Sequence, residues 1–442
     1  MTLVSRLKGA AIGAFLDADR ARHVAAELRR RVTGGDRVVD FYFDLADPWS
    51  YLAAQAAVRL AAAYPVEIKF HLVSPPASDV DAKPALRAQY AIRDAAELAL
   101  HWDLDFPGKK PLEAGALRKA GQVLIKPRPD RDQLALAVEL GRALWANDQK
   151  ELTALMGRHG NEASGSLPPF LASAYDRLRK AGHYQGAMFA YGGDWYWGVD
   201  RLSYLENRLA TDTGTSAPPV LNRRPEAERP PERLTSAPGP LAVDFFFSFR
   251  SPFSYLALGR TAELARRFPI DLRVRPVLPM IERGVALPAV KRMYLVRDAH
   301  REAERLGIPF GNICDPLGQG VEHALAISKL AIAQGRGLEF LESAARGSWA
   351  EAKDLTSYVD LREVVERAGL SWSDARAAMG DPSWRVWATD NAADLDAAGL
   401  WGVPAWKVGD HATWGQDRID FLADRLRRHA AAPTSAKAEA SP

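Results

Sequence analysis

The chain has 442 residues, 58 of them Lys or Arg against 55 Asp or Glu for a formal net charge of +3, and is 47% hydrophobic and 26% charged. So even a balance leaves no electrostatic footprint for nucleic acid, and the composition is that of a globular protein, neither disordered nor membrane-embedded. At this length one core is outgrown, so two domains of roughly 200 residues are expected.

The first stretch, residues 1–36, holds a short apolar run from Ala10 to Leu16, closed by Asp17, Asp19 and Arg20 without a small-residue cleavage pattern. It reads as an amphipathic leader helix. Nowhere does the sequence approach the ~20 consecutive apolar residues that span a bilayer, so no membrane partner is expected. Cys314 is the only cysteine. That removes an intrachain disulfide, a cysteine-rich zinc site and a dithiol redox pair together, and it fits a reducing, cytoplasmic location.

Asp40 to Ala53 reads DFYFDLADPWSYLA and Asp244 to Ala257 reads DFFFSFRSPFSYLA, and the copies stay in register without a gap from Asp40 to Val73 and from Asp244 to Val277. One fold is therefore expected twice, over residues 37–210 and 241–430. Each copy opens with a strand, Val38 to Leu45 or Leu241 to Phe249, whose near-continuous Phe and Val predict a sheet covered on both faces. A helix follows, Pro48 to Ala63 or Pro252 to Arg267, with Pro at the first helical position, where its missing N–H costs nothing. Strands Val66 to Val73 and Ile270 to Val277 come next. A crossover of that length joins parallel strands.

About a hundred residues of helical spacing follow in each copy, for example Val290 to Leu306, Glu322 to Ala333 and Val359 to Ala368. Ser371 with Asp374 opens a capped helix from Trp372 to Met379. Each copy closes with a hairpin and a helix. Ala405 to Val408 and His411 to Trp414 flank Gly409-Asp410 ahead of Gln416 to Arg428; Met188 to Tyr191 and Asp194 to Trp197 flank Gly192-Gly193 ahead of Val199 to Leu209. Residues 211–240, rich in Pro, Ser, Thr and mixed charge, have a linker composition, and residues 431–442 read as a disordered tail.

Strand, helix, strand, helical insertion, Gly-Val-Pro at Gly402 to Pro404, hairpin and helix is the plan of a thioredoxin-like domain of the DsbA-related type. The predicted fold class is α/β: two thioredoxin-like domains, each with a helical insertion between the β-α-β unit and the C-terminal hairpin and helix. At the helix mouth, where redox proteins of this plan hold a C-x-x-C pair, the second copy has Ser251-Pro252-Phe253-Ser254 and the first Asp47-Pro48-Trp49-Ser50. Dithiol exchange is impossible at either. What remains in the second copy is a hydroxyl beside a positive helix end, suited to holding an external thiolate; an ordinary serine cap is the other reading of Ser251.

SPFSYLALGR, KRMYLVRDAHREAERLGIPF (Lys291 to Phe310), GLWGVPAWKVGD and WGQDRIDFL (Trp414 to Leu422) together resemble the 2-hydroxychromene-2-carboxylate isomerase and kappa-class glutathione transferase family, over the whole second copy from about Ala242 to Arg428. The resemblance implies glutathione as cofactor, with Ser251 the catalytic donor to its thiolate. It implies a cis bond before Pro404, with the Val403 backbone pairing with the cysteinyl backbone of glutathione like an added strand. It further implies that Gln416 and Asp417, opening the last helix, hold the γ-glutamyl end; capping and dipole compensation is the alternative. Where family members carry an Asn- and Pro-rich segment, this chain has MIERGVALPAVK (Met280 to Lys291). In it Arg283 or Lys291 is either a charge for the glycine end or a solvated surface residue.

The first copy resembles the family at its two ends and much less in its middle. Asp47 replaces the hydroxyl donor, and an ionised Asp would repel a thiolate. Gly186-Ala187-Met188 stands where Gly-Val-Pro would, while Asp200-Arg201 survive. This copy is expected to keep the fold and lack the thiol site. Trp195, Tyr196 and Trp197 either line a ligand pocket or pack as core and partner faces. His71, His101, His183, His323 and His411 lack metal-site spacing, so no metal is expected, and Cys314 reads as an apolar filler. The function implied is a glutathione-dependent isomerase of aromatic catabolism, acting by reversible thiolate addition to an unsaturated, aromatic-derived small acid, with the two domains as an internal pseudo-dimer. A kappa-type glutathione transferase and a non-catalytic binding or assembly protein that keeps the fold are the alternatives.

Overall fold

Two four-stranded sheets, one for each copy of the repeat, organise the described residues, which in this computed structural model are 24–25, 37–163, 165–221 and 240–431. The expected leader apart from residues 24–25, the linker over 222–239 and the tail over 432–442 lie outside the described residues. Proximity divides the rest into two units. One holds the described residues up to 221 together with Ala286–Tyr294, and the other holds the remainder.

In the first unit β1 (Val38–Asp44), α1 (Pro48–Ala63) and β2 (Glu67–Val73) form the β-α-β element, with β1 and β2 parallel and Val38 opposite Glu67. Five helices intervene: α2 (Pro84–Trp102), α3 (Ala114–Leu124), α4 (Asp130–Trp145), α5 (Gln149–His159) and α6 (Leu167–Ala181). The hairpin β3 (Met188–Tyr191) and β4 (Asp194–Trp197) then returns antiparallel to β1, for a strand order β2-β1-β3-β4, and α7 (Leu202–Thr213) closes the unit. Helix α7 runs into the first residues of the expected linker. Thr211 and Thr213 donate their hydroxyls to the carbonyls of Asn207 and Leu209, four residues back, which keeps the last turn helical.

The second unit repeats the plan with β5 (Leu241–Phe247), α8 (Pro252–Arg267) and β6 (Ile270–Pro276), then a 3-10 turn (Met280–Arg283). The insertion of the second copy comprises α9 (Ala289–Leu306), whose residues up to Tyr294 group with the first unit, then α10 (Gln319–Ala333), α11 (Gly337–Ala350), α12 (Tyr358–Arg367), α13 (Trp372–Met379) and α14 (Ser383–Ala397). The hairpin β7 (Ala405–Val408) and β8 (His411–Trp414) completes the order β6-β5-β7-β8, and α15 (Ile419–Ala431) ends it. Each sheet is mixed, because a tight hairpin can join only antiparallel strands. Phe245, Phe246 and Phe247 are all buried, so this end of β5 is covered on both faces, as its unbroken apolar run predicts. The core runs from β5 through Leu256 and Leu264 of α8 to Phe340 and Leu341 of α11. Among the described residues no helix is long and apolar enough to cross a membrane.

Candidate functional site

Helix α8 starts at Pro252, and the residue before it is the centre of the site. Ser251 is extended (φ −105°, ψ 112°), and its Oγ accepts the Ser254 N–H at 3.1 Å, a cap worth about 1 kcal/mol. The same hydroxyl donates to the Val403 carbonyl oxygen at 3.2 Å. Capping occupies a lone pair and leaves the O–H proton to be aimed, so the cap and the donor are one residue in two roles.

The loop carrying Ser251 is pinned on several sides. Arg250 holds Asp315 at two points, Nε to Oδ1 at 2.8 Å and Nη2 to Oδ2 at 2.9 Å. The Trp349 indole donates to the Phe249 carbonyl at 3.0 Å, and Ser251 N–H to the Ser248 carbonyl at 3.0 Å. A two-point Arg–carboxylate pair adds geometric specificity as well as energy to the position of the loop. Ser248 is buried, and its Oγ has no hydrogen-bond partner.

The opposite wall is the turn into β7. The Val403–Pro404 bond is cis, as the resemblance implies, and the Pro404 carbonyl accepts the Gly415 N–H at 2.9 Å. Gly402 has no room for a side chain, since a Cβ there would lie 2.5 Å from Trp414 Nε1, and Trp414 packs on Trp401 with ring centres 4.9 Å apart. Arg283 is half-buried and donates to the carbonyls of Leu278 at 3.0 Å and Trp401 at 3.1 Å. It braces the segment before Gly402 rather than standing in solvent, and burial holds its guanidinium below the ordinary value. Lys291 donates to the Val80 carbonyl at 2.6 Å within the first unit, and is likewise no solvated lysine.

The last helix was expected to begin at Gln416. Instead Gln416–Arg418 form a 3-10 turn ahead of α15. Gln416, 1% exposed, points inward: its Nε2 donates to Glu302 Oε2 at 2.7 Å and to Asp417 Oδ1 at 2.6 Å. Arg260 of α8 donates from Nη1 to both the carbonyl and the Oε1 of Gln416 at 3.1 Å, and from Nη2 to Asp420 at 3.2 Å. Asp417 is half-buried at the start of the turn. Sequence reasoning missed Glu302 and Arg260 because they lie 114 and 156 residues from Gln416, beyond any local motif.

In the first unit the equivalent place is shut. Asp47 caps α1, its Oδ2 accepting the N–H and Oγ of Ser50 at 3.1 and 2.9 Å, while its Oδ1 has no hydrogen-bond partner and lies 3.7 Å from Arg87 Nη1. Burial pushes the Asp47 carboxyl up, while Arg87 and the Ser50 hydrogen bonds pull it down. Burial and the Asp47 charge push Asp44 up to about 7. Gly186 packs so closely that a Cβ would lie 2.6 Å from Asp44 Cβ and 2.8 Å from Ser50 Oγ, and Ala187 adopts φ +57°. Trp195 is buried, and Tyr42 and Trp197 pack half-buried against the same cluster, which is the packing reading of that strand. Cys314 is buried, and among the described residues no group of His, Cys, Asp and Glu is placed to hold a metal ion.

The DSBA-like thioredoxin domain family matches residues 242–427. A 2-hydroxychromene-2-carboxylate isomerase of Pseudomonas sp. (strain C18) is 32% identical over 192 residues, 41% of this chain and 87% of that protein. One of Sphingobium xenophagum is 28% identical over 199 residues, 42% of this chain and 97% of that protein. The solved structure of a SeMet 2-hydroxychromene-2-carboxylate isomerase is 24% identical, with 42% of this chain and 95% of that chain covered and a TM-score of 0.38.

Proposed function

The chain belongs to the 2-hydroxychromene-2-carboxylate isomerase family and is an isomerase, and we propose that it works with glutathione at the site around Ser251. The observation that carries this reading is the Ser251 hydroxyl at the mouth of α8, donating to the Val403 carbonyl across the site. Three features fit a peptide thiol. The O–H is a donor that can be re-aimed, the carbonyl it would release is an acceptor for a strand-like backbone, and Asp417 supplies a carboxylate for an ammonium group.

Bound glutathione supplies a nucleophilic sulfur that adds reversibly to a carbon–carbon double bond and is returned unchanged. Ser251 holds its O–H on the thiolate while its lone pair keeps capping α8, so the donor does not wander. The first N–H groups of α8 add the positive end of the helix, favouring the charged form of the thiol. Gly402 and the paired Trp401 and Trp414 shape the wall along which the peptide would run. The substrate class, an unsaturated aromatic-derived acid, follows the name of the relatives. A reducing, cytoplasmic setting is proposed on the single cysteine, and an internal pairing of the two units on the in-register duplication.

The test is turnover of 2-hydroxychromene-2-carboxylate with and without reduced glutathione, followed by substrate absorbance. The rate is expected to depend on glutathione and to fall in Ser251→Ala. An equal rate without the thiol refutes the reading, and a stable conjugate in place of the isomer assigns a transferase.

A further inference from the structure

Two members of the polar network around Gln416 are replaced by apolar residues in the first copy. In the gapless register Arg260 corresponds to Ala56, and after the second hairpin Gln416 corresponds to Val199, while Asp417-Arg418 correspond to Asp200-Arg201. Ala56 and Val199 are both buried, so at these two positions the first unit is apolar where the second is polar. The fold therefore does not require the polar version. Burying the Gln416 amide and partly burying the Arg260 guanidinium where Val and Ala suffice carries a desolvation cost that such groups recover only in good geometry.

That geometry is present. Glu302, 1% exposed on α9, accepts from Gln416 Nε2 at 2.7 Å and from Arg305 Nη2 at 2.7 Å, and Arg260 grips Gln416 from α8. Gln416 passes the constraint on, its amide also reaching Asp417 Oδ1 at 2.6 Å. The first intraturn bond is Arg418 N–H to the Gly415 carbonyl, so the N–H groups of Gln416 and Asp417 precede it at the mouth of the turn.

Resting on the glutathione reading above, we propose that Glu302, with Arg260, is a positioning residue for recognition of a γ-glutamyl group: through Gln416 it fixes the Asp417 carboxylate and the mouth of the 3-10 turn relative to Ser251. Gln416 itself is a relay in this account, and the ligand contacts fall to Asp417 and the turn backbone.

The experiment measures calorimetric dissociation constants of the full-length protein for reduced glutathione and for cysteinylglycine, which lacks the γ-glutamyl group, in wild type, Glu302→Ala and Glu302→Gln. Glu302→Ala is expected to weaken glutathione roughly tenfold or more, the loss of a charged hydrogen bond, while cysteinylglycine changes less than about threefold. Glu302→Gln keeps an acceptor for the Gln416 amide and is expected to recover most of the glutathione affinity. Equal weakening of both ligands, or no weakening of either, overturns the positioning role. Wild type that binds no glutathione overturns the functional reading itself, and this inference with it. If Glu302→Ala does not fold, Arg260→Gln takes its place with the same two ligands and the same required selectivity.

Discussion

At the mouth of α8 the in-register positions are Ser248, Ser251 and Ser254; at the mouth of α1 they are Asp44, Asp47 and Ser50. The strands, the proline-led helix and the hairpin are shared, and Ser50 and Ser254 place their Oγ against the N–H of Asp44 and Ser248 in turn. The difference lies in what fills the mouth. In the second unit it is faced by a carbonyl that a hydroxyl can leave, and in the first by a buried carboxylate pair, Arg87 and a glycine pressed against them. A scaffold that forms around either filling shows that the site chemistry is not what holds the fold together. The first unit has exchanged a donor for a pair of acids whose burial must be relieved by protonation or by Arg87.

That contrast is sharpest against pH. Asp44 is raised from 3.8 to about 7, so its stabilising, protonated form is fully present below the ordinary carboxylate pKa and is lost as pH rises through about 7. A shift of this size corresponds to at most about 4 kcal/mol. The calorimetric transition of the first unit should therefore fall as pH rises from about 4 to about 7 and level off above that, and Asp44→Asn should flatten the dependence. A transition unmoved by pH in wild type would mean that Arg87 neutralises the pair completely.

Ser251→Ala comes next in size. Losing a hydrogen bond to a charged acceptor, about 1.5–3 kcal/mol, should slow turnover roughly tenfold to a hundredfold and raise the pKa of the bound thiol, read as thiolate absorbance against pH. The same change at Ser50, in the first copy, should leave turnover alone. Smaller still is the effect of filling the two close approaches. Gly186→Ala and Gly402→Ala each force a Cβ to within 2.6 Å and 2.5 Å of a neighbour, and overpacking of this kind costs about 1–3 kcal/mol. Separate melting transitions should show Gly186→Ala lowering only the first unit and Gly402→Ala only the second. Loss in the opposite unit would break the correspondence of the two turns.

Much of this was legible in the sequence because it was local. The helices at Pro48–Ala63, Pro252–Arg267 and Trp372–Met379 and all four hairpin strands have the limits that proline, caps and turn pairs predict. Ser251, Val403 and Pro404 could be placed together because family motifs keep them in order, although 152 residues separate the first two. The interior of the site was not legible. Gln416 looked like a helix-opening ligand contact, and its burial depends on Glu302, whose only sequence signal was a carboxylate on an amphipathic helix. Arg283 and Lys291 looked solvated because Arg and Lys usually are, and both are spent on backbone carbonyls. The state of Asp44 and Asp47 depends on desolvation, which no motif records.

The central claim, one thiol site in the second unit and none in the first, is tested most directly by calorimetric titration of the full chain with reduced glutathione, in wild type, Ser251→Ala and Asp47→Asn. The account predicts one glutathione per chain, binding weakened by Ser251→Ala and untouched by Asp47→Asn. Two glutathiones per chain, or a single site that responds to Asp47→Asn and ignores Ser251→Ala, would contradict it.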